Sequence, residues 1–168
     1  MKLSAKSRYG TRLVLDIALN QRNGPVRIQD VSERQSISVK YLERIVQELR
    51  KAGYIKSRRG YRGGHMLAVP PEQISVGAIV RVLEEGQPLV ECARYKPACP
   101  LAETCLTRRV WMEAGNAMFE RLDSILFSEL IKHVKQGTRF YHTCSGLDAC
   151  EIKPRPKTDR PAGKPKGK

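Results

Sequence analysis

Residues 28–69 constrain the fold more than any other part of the chain, because the spacing of their apolar residues changes within this segment. Residues 28–35 and 39–52 carry apolar residues at helical spacing, and turn-forming residues bound both stretches. Residues 54–56 and 66–69 are short apolar runs typical of strands, and an arginine- and glycine-rich stretch separates them. The segment therefore predicts two short helices followed by a β-hairpin.

The second of these helices is strongly amphipathic, with Ser38 as its predicted N-cap and Gly53 placed where helices commonly end. Its apolar face carries Tyr41, Leu42, Ile45, Val46 and Leu49. Its polar face carries Lys40, Glu43, Arg44, Gln47, Arg50 and Lys51. Two helices joined by a tight turn and followed by a basic hairpin predict a winged helix-turn-helix. A small helical bundle with a solvated charged face is the alternative.

A long helical pattern runs from residue 106 to about residue 134, and its length predicts one helix longer than most globular helices. Its apolar side carries Trp111, Ala114, Met118, Leu122, Ile125, Leu126 and Leu130. A chain of 168 residues has little else to cover that side, so we predict that this helix joins two subunits of a homodimer. The predicted fold class is mainly α with a small β-hairpin: a winged helix-turn-helix plus a long C-terminal dimerisation helix.

The net charge of +14 is unevenly distributed along the chain. Residues 1–70 carry 15 basic and 5 acidic side chains, residues 71–150 carry 9 and 10, and residues 151–168 carry 7 and 2. The basic excess thus belongs to the predicted winged unit and to the tail. This distribution favours a module that binds a polyanion such as nucleic acid, joined to a neutral region with another role.

The hairpin carries Arg58, Arg59 and Arg62 within five positions. These charges are an electrostatic liability without a polyanion, so we interpret the hairpin as a surface that contacts phosphates or a minor groove. A helix of the size predicted at residues 39–52 fits the major groove, where its polar side chains reach base edges. We therefore expect double-stranded DNA as the partner.

Several other classes of protein are disfavoured by simple features. The apolar stretch LVLDIAL is interrupted by Asp16 and is far too short to cross a bilayer. The N-terminal residues contain no apolar signal region, so we expect a cytoplasmic protein. Paired carboxylates, a nucleophile–base set and a phosphate-binding glycine loop are all missing from the sequence, so we do not expect an enzyme.

Three of the five cysteines, Cys92, Cys99 and Cys105, lie close together in a loop that also contains Pro97 and Pro100. An odd number of cysteines without a signal region favours metal or redox chemistry over a disulfide scaffold. Thiolates are soft ligands that bind iron or zinc, so the loop is a candidate metal site. Buried free thiols and redox-active thiols are alternatives that the spacing leaves open.

Residues 1–134 as a whole resemble the IscR-type family of winged-helix transcriptional regulators, which includes IscR, NsrR and CymR. The resemblance lies in the motifs MKLSAKSRYGTRLVLDIALN, GPVRIQDVSERQSISVKYLE, RKAGYIKSRRG and CLTRRVW, together with the three cysteines. It implies a homodimeric winged-helix transcription factor that binds palindromic promoter DNA.

The resemblance also implies roles for individual residues. The family's ligands to an iron–sulfur cluster match Cys92, Cys99 and Cys105. Its base-contacting positions match Lys40, Tyr41, Glu43 and Arg44, and the wing arginine that enters the minor groove matches Arg59. We accordingly expect a repressor that senses iron, redox or nitrosative state through a cluster. The cysteine loop leads into the predicted long helix, which would pass the change to the DNA-binding units.

Two positions depart from the family pattern. The chain has Arg108 where IscR-like proteins have a histidine ligand, and Arg8 where NsrR-like proteins use an aspartate from the partner subunit. The fourth ligand therefore stays open, as does the choice between a [2Fe–2S] and a [4Fe–4S] cluster. Candidate fourth ligands are Glu91, Glu103, His65, His142, Cys144 and Cys150.

Two alternatives stand beside the cluster-bearing repressor. The first is a regulator of the same family without a cluster, controlled by thiol oxidation or by a partner protein. The second is an iron–sulfur carrier or small redox protein, which would not bind duplex DNA sequence-specifically. The expected organisation is a winged helix-turn-helix at 1–70, a connecting helix at 71–90, a cysteine loop at 91–105, a dimerisation helix at 106–135 and a basic, disordered tail at 136–168.

Overall fold

The structure is a computed structural model that describes residues 3–86, 88, 90, 92, 99 and 101–136. Its elements in chain order are α1 (Ala5–Asn20), α2 (Ile28–Gln35), α3 (Val39–Lys51), β1 (Ile55–Arg58), β2 (Gly64–Leu67), α4 (Val76–Leu83), α5 (Leu106–Asp123) and α6 (Phe127–Lys135). Within these residues, no helix has the length and apolar character needed to cross a membrane. Almost the whole predicted tail, with His142, Cys144 and Cys150, lies outside the described residues, as does Glu91.

The two helices of the predicted helix-turn-helix are joined by a tight turn. Helix α2 ends at Ser36, which adopts the left-handed conformation (φ 54°), and Ile37 then packs into the core. Ser38 occupies the N-cap position of α3 as predicted, but its side chain makes no capping hydrogen bond in the described part of the chain. Its carbonyl oxygen instead accepts hydrogen bonds from the backbone N–H groups of Tyr41 and Leu42, both at 3.1 Å.

The hairpin follows α3 after a left-handed glycine, Gly53, at φ 81°. Strands β1 and β2 pair antiparallel, with Ile55 opposite Leu67 and Arg58 opposite Gly64. Both Ile55 and Leu67 are buried, whereas the residues of β1 beyond Ile55 are exposed. The hairpin is therefore anchored at its base and projects its arginine-rich turn into solvent.

The core of this unit lies between α1, α2, α3, α4 and the base of the hairpin. Its side chains with an exposed fraction of at most 2% include Leu13, Ile17, Val31, Leu42, Ile45, Leu49, Ile55 and Ile79. Each such side chain stabilises the fold by about 1.5–3 kcal/mol relative to an exposed position. The apolar face predicted for α3 is thus buried, and its polar face remains outside. The predicted fold class, mainly α with a winged helix-turn-helix, is confirmed.

The single helix predicted over residues 106–134 is wrong in one respect, because the structure divides it into α5 and α6. Ile125 and Leu126 leave the helix and pair with the chain before α4: the Val76 N–H donates to the Ile125 carbonyl at 2.9 Å, and the Phe127 N–H donates to the Ile74 carbonyl at 3.0 Å. Phe127 is then fully buried in the winged unit. Helix α6 therefore packs against α1 and belongs to the same core, so α5 is the part of the predicted long helix that stays outside this core.

Helix α5 packs against α4 near its C-terminal end. Asp123 accepts a hydrogen bond from Arg81 at 2.6 Å and another from Ser75 at 3.3 Å, while the Arg81 guanidinium also lies 4.5 Å from the centre of the Phe119 ring. Every residue of α5 is nevertheless exposed or half-buried. Its N-terminal half exposes four large apolar side chains: Leu106, Val110, Trp111 and Met112.

Candidate functional site

The polar face of α3 presents most of the predicted base-contacting side chains to solvent. Lys40, Glu43 and Arg44 are exposed, and Tyr41 is half-buried. A surface depression of about 230 Å³ lies here, lined by Ser38, Lys40, Tyr41 and Arg44. The structure thus brings all four predicted residues onto one helix, close to its N-terminus, where recognition helices enter a major groove.

Tyr41, which also fits the apolar face of α3, is fixed by an aromatic contact with α1. The Tyr9 and Tyr41 rings meet edge to face, with centres 5.8 Å apart and an angle of 86° between their planes. The guanidinium groups of Arg8 and Arg12 lie over the Tyr9 ring at 5.7 and 5.9 Å. Such contacts orient Tyr41 beside the depression and place two further basic groups near the same end of α3.

Asp16 ties α1 to the end of α2, just before the turn that leads into α3. Its carboxylate, in a residue 3% exposed, accepts hydrogen bonds from Arg34 Nη2 (2.6 Å), Arg34 Nε (3.1 Å) and Gln35 Nε2 (2.8 Å). One turn earlier on α1, Arg12 donates to the carbonyl oxygen of Gln35 at 2.6 Å. In the sequence, the only sign of this role is that Asp16 interrupts the apolar run LVLDIAL.

The arginines predicted to contact DNA from the hairpin lie at its outer end. Arg58 ends β1, and Arg59 and Arg62 lie in the turn, all three exposed. This turn is closed by a hydrogen bond from the Gly63 N–H to the Gly60 carbonyl at 2.8 Å. The wing therefore forms a separate basic surface beside α3.

The wing is held on a third segment of chain, the residues before α2. The Val26 N–H donates to the His65 carbonyl at 2.9 Å, and the His65 N–H donates to the Val26 carbonyl at 2.8 Å. A Cβ atom at Gly64 would lie 2.5 Å from the Val26 carbonyl oxygen, so this close approach requires glycine. His65 Nδ1 lies 2.9 Å from Ser57 Oγ, and burial together with the charge of Arg50 lowers the pKa of His65. His65 is thus part of the wing.

The cysteine loop contains three thiols, at Cys92, Cys99 and Cys105, that are free and half-buried. Among the described residues, no three histidine, cysteine or acidic side chains are gathered closely enough to hold a metal ion. Cys105 occupies the N-cap position of α5, with its Sγ 3.1 Å from Thr107 Oγ1. The Thr107 hydroxyl and the Arg108 backbone N–H lower the pKa of the Cys105 thiol.

Arg108 holds the cysteine loop together. Its Nε donates to the Cys92 carbonyl at 2.9 Å, and its Nη1 donates to the Ala102 carbonyl at 3.3 Å. A guanidinium carries only donors and stays protonated, so Arg108 does not act as a metal ligand. Three free thiols on a loop closed in this way are a donor set of the right chemistry for an iron–sulfur cluster, but the loop must draw them together to bind one.

Contacts at the N-terminus of α1 connect the residues after α4, Glu84 and Glu85, to α3. The Glu84 carboxylate, just after α4, accepts hydrogen bonds from the Ser4 N–H at 2.9 Å and from the hydroxyl of the buried Ser7. Lys6 Nζ lies 3.4 Å from Glu85 Oε1 and 3.1 Å from Glu48 Oε2, which is on α3. Lys6 of α1 therefore bridges Glu85, which follows α4, and Glu48 on the helix that carries the predicted base-contacting positions.

Comparison with known families identifies one match over most of the chain. The profile of the family described as "Rrf2: Iron-dependent Transcriptional regulator" matches residues 3–133. The chain is 44% identical over 154 residues to "Protein rrf2" of Nitratidesulfovibrio vulgaris, covering 92% of this chain and 97% of that protein. It is 39% identical over 131 residues to the HTH-type transcriptional regulator IscR of Aliivibrio salmonicida, covering 78% of this chain and 77% of that protein. The family and the second of these relatives are described as regulators of transcription, in agreement with the prediction that the chain is not an enzyme.

Two solved structures have a similar fold. The structure of T. potens IscR superimposes with a TM-score of 0.67 at 34% identity, covering 84% of this chain and 94% of that one. CymR, the global cysteine regulator of B. subtilis, superimposes with a TM-score of 0.64 at 33% identity, covering 79% of this chain and 98% of that one. Both similarities extend through the winged unit and beyond it.

Proposed function

The chain belongs to the Rrf2 family as a transcriptional regulator of the IscR type, and we propose that it is a homodimeric repressor that binds specific promoter sequences. The observation that carries the proposal is the pairing of two exposed surfaces. One is the N-terminal part of α3 with Lys40, Tyr41 and Arg44, and the other is the arginine-bearing wing. A helix and a neighbouring basic hairpin contact a major groove and the adjoining backbone at the same time.

Within this proposal the residues divide into two roles. The α3 side chains Lys40, Tyr41, Glu43 and Arg44 contact base edges, because they lie near the start of a helix that fits the major groove and none of them is buried. The wing residues Arg58, Arg59 and Arg62 contact phosphates or the minor groove, because they lie at the outer end of the hairpin. The surface thus combines α3 side chains that recognise bases with wing arginines that attract the duplex through their charge.

Substitution of Arg59 tests the minor-groove role of the wing. Arg59→Ala is expected to weaken binding of the selected duplex by about 1–3 kcal/mol and to relax the sequence preference. Replacing Lys164 and Lys166 in the tail with alanine is the control for charge alone, and should mainly flatten the dependence of affinity on salt. Equal effects of the two changes on both affinity and preference would contradict the assigned roles.

Dimerisation through α5 is supported by its exposed apolar side chains. Leu106 is 73% exposed, Val110 55% and Trp111 50%, and Leu106 and Val110 are one helical turn apart. A second copy of the chain would cover this surface and set the separation of two α3 helices on a palindrome. Val110→Asp should yield a monomer in sedimentation experiments, whereas Glu113→Gln on the same helix should leave a dimer. A monomeric wild-type chain would contradict the proposal.

We further propose that Cys92, Cys99 and Cys105 hold an iron–sulfur cluster, with a fourth ligand from elsewhere. Support comes from the free thiols of the loop and from the iron-dependent description of the family. A bound cluster supplies a centre that reacts with oxidants and loses iron, which makes the state of the loop depend on the cell's chemistry. In this chain Arg108 holds the loop backbone, and Cys105 begins α5.

The cluster is tested by chemical analysis and not by activity. Anaerobic reconstitution should give iron and sulfide in equal amounts, together with visible absorbance. Cys92→Ser should lower the bound iron and sulfide as well as the absorbance. Cys144→Ser and Cys150→Ser serve as matched variants that show whether either cysteine is the fourth ligand. A colourless chain without iron after reconstitution would contradict the cluster, and DNA binding would stand as a separate finding.

A regulator controlled by thiol oxidation is the second candidate, and the environment of Cys105 favours it. The lowered pKa of this thiol increases the fraction of reactive thiolate, and the similar structure of CymR belongs to a cysteine regulator. Oxidation should then abolish DNA binding, and a dithiol without iron should restore it. Cys105→Ser should make binding insensitive to oxidant. A chain that transfers a cluster but binds no duplex would instead be a carrier.

A further inference from the structure

The tip of the wing carries an exposed aromatic side chain that the roles assigned above leave unexplained. Tyr61 is 91% exposed, the largest exposed fraction of the large apolar side chains in the described residues. It lies in the turn between Arg59 and Arg62. A single exposed aromatic ring needs no explanation by itself, so its contacts decide whether it has a role.

Arg27 holds Tyr61 in place through two contacts. Its Nη2 donates a hydrogen bond to the Tyr61 carbonyl oxygen at 3.1 Å. Its guanidinium carbon also lies 5.9 Å from the centre of the Tyr61 ring, within the range of a cation–π contact. One exposed arginine therefore restrains both the backbone and the ring of a residue 34 positions later in the chain.

Arg27 is well placed for this task because its own backbone is fixed. It is the N-cap residue of α2, and the preceding residue, Val26, pairs with His65 of β2 through two hydrogen bonds. The guanidinium thus reaches from the start of the helix-turn-helix to the wing tip. This contact sets the position of the tip relative to α2, and through the turn at Ser36 relative to α3.

We propose that Tyr61 contacts DNA at the wing tip and that Arg27 is a positioning residue for it, an inference that rests on the proposed function. Arg59 and Arg62 bring the tip against the backbone, and the ring between them then packs on the apolar faces of sugars or base edges at the groove. A ring already held by Arg27 loses little conformational freedom on binding. Arg27 consequently raises affinity without contacting DNA.

The test uses the full chain, a duplex selected from random sequences and titrations at several salt concentrations. Tyr61→Ala should weaken binding about tenfold, the size of one well-formed contact. Because the lost group is neutral, the slope of affinity against salt should not change. Tyr61→Phe keeps the ring and should bind like the wild type. Tyr61 is exposed, so thermal unfolding should show that both variants fold.

The Arg27 variants separate positioning from charge. Arg27→Ala should weaken binding severalfold with an unchanged salt slope, and Arg27→Lys should not restore affinity, because the planar guanidinium is lost. In the Tyr61→Ala background, Arg27→Ala should cause no further loss. Arg121→Ala, at an exposed arginine on α5 that donates to Ser124 at 3.2 Å, is the control and should leave binding unchanged.

Three outcomes would overturn the inference. Wild-type affinity of Tyr61→Ala would remove Tyr61 from the interface, while the proposed function stands. A salt slope reduced by about one in Arg27→Ala, with losses that add to those of Tyr61→Ala, would make Arg27 a phosphate contact. Failure of the wild-type chain to bind any duplex would remove the proposed function itself, and with it the contact of Tyr61 with DNA.

Discussion

Asp16 should be the polar side chain on which the position of α3 depends most. It is nearly fully buried, and its two carboxylate oxygens accept hydrogen bonds from Arg34 and Gln35 at the end of α2. The turn to α3 follows immediately at Ser36. Replacing Asp16 with alanine removes the acceptor and leaves the guanidinium of Arg34 and the amide of Gln35 without it.

The magnitude follows from the burial of the two partners. Removing one member of a fully buried ion pair costs about 3–5 kcal/mol, because the other charge is left unpaired. The Arg34 side chain is 39% exposed and regains some hydration, so the expected loss for Asp16→Ala is about 2–3 kcal/mol of unfolding free energy. Asp16→Asn keeps an acceptor without the charge and should lose about 1–2 kcal/mol.

Urea denaturation measures this loss, with every variant at one protein concentration because a dimer's stability depends on it. The midpoint should fall while the slope m stays constant. Asp30→Ala is the matched control, since Asp30 is an exposed aspartate in the first turn of α2 and should contribute less than about 1 kcal/mol. If Asp16→Ala destabilised the chain no more than Asp30→Ala, the hydrogen bonds of Asp16 with Arg34 and Gln35 would not hold the end of α2 as described.

Three further predictions concern other parts of the fold. Phe127→Ala should destabilise the chain by about 3–5 kcal/mol in urea denaturation, because the fully buried ring fixes α6 to the winged unit; a loss below 1 kcal/mol would contradict that packing. Burial raises the pKa of Glu84, but hydrogen bonds from Ser7 and Ser4 outweigh it and lower the pKa overall. Its contribution to stability should therefore be complete above the ordinary carboxyl pKa of about 4.3 and be lost as the pH falls through the lower folded-state value; Glu84→Gln should remove this part of the acid dependence, and an unchanged pH profile would contradict it. Arg81→Ala should cost no more than about 1 kcal/mol in the same denaturation assay, because both side chains of its ion pair with Asp123 stay accessible to solvent, at 44% and 37% exposed; a larger loss would assign the contact a greater role.

Local patterns were sufficient to predict the winged unit. The apolar spacing of α3, with Leu42, Ile45 and Leu49 on one face, depends only on which side of a helix meets a core, so the sequence displays it directly. Gly53 likewise marks the end of α3, because a left-handed residue is needed there. The bounds of α2, Ile28–Gln35, coincide with the predicted segment.

Contacts distant in sequence could not be predicted in the same way. Ile125 and Leu126 continue the helical pattern of α5, and only their pairing with the chain before α4 shows why the helix ends. The contact of Arg27 with Tyr61 joins two exposed residues that carry no apolar pattern. The role of Arg108 in holding the cysteine loop depends on backbone carbonyls, which every sequence has.

Sequence-specific binding of DNA by α3 and the wing is measured by equilibrium titration. The full chain is added to a duplex selected from random sequences and to the same duplex with its contacted bases scrambled, at one salt concentration. We predict that the selected duplex binds at least about a thousandfold more tightly than the scrambled one. Equal affinities for the two duplexes would contradict it and leave only the nonspecific attraction of a basic protein for phosphate.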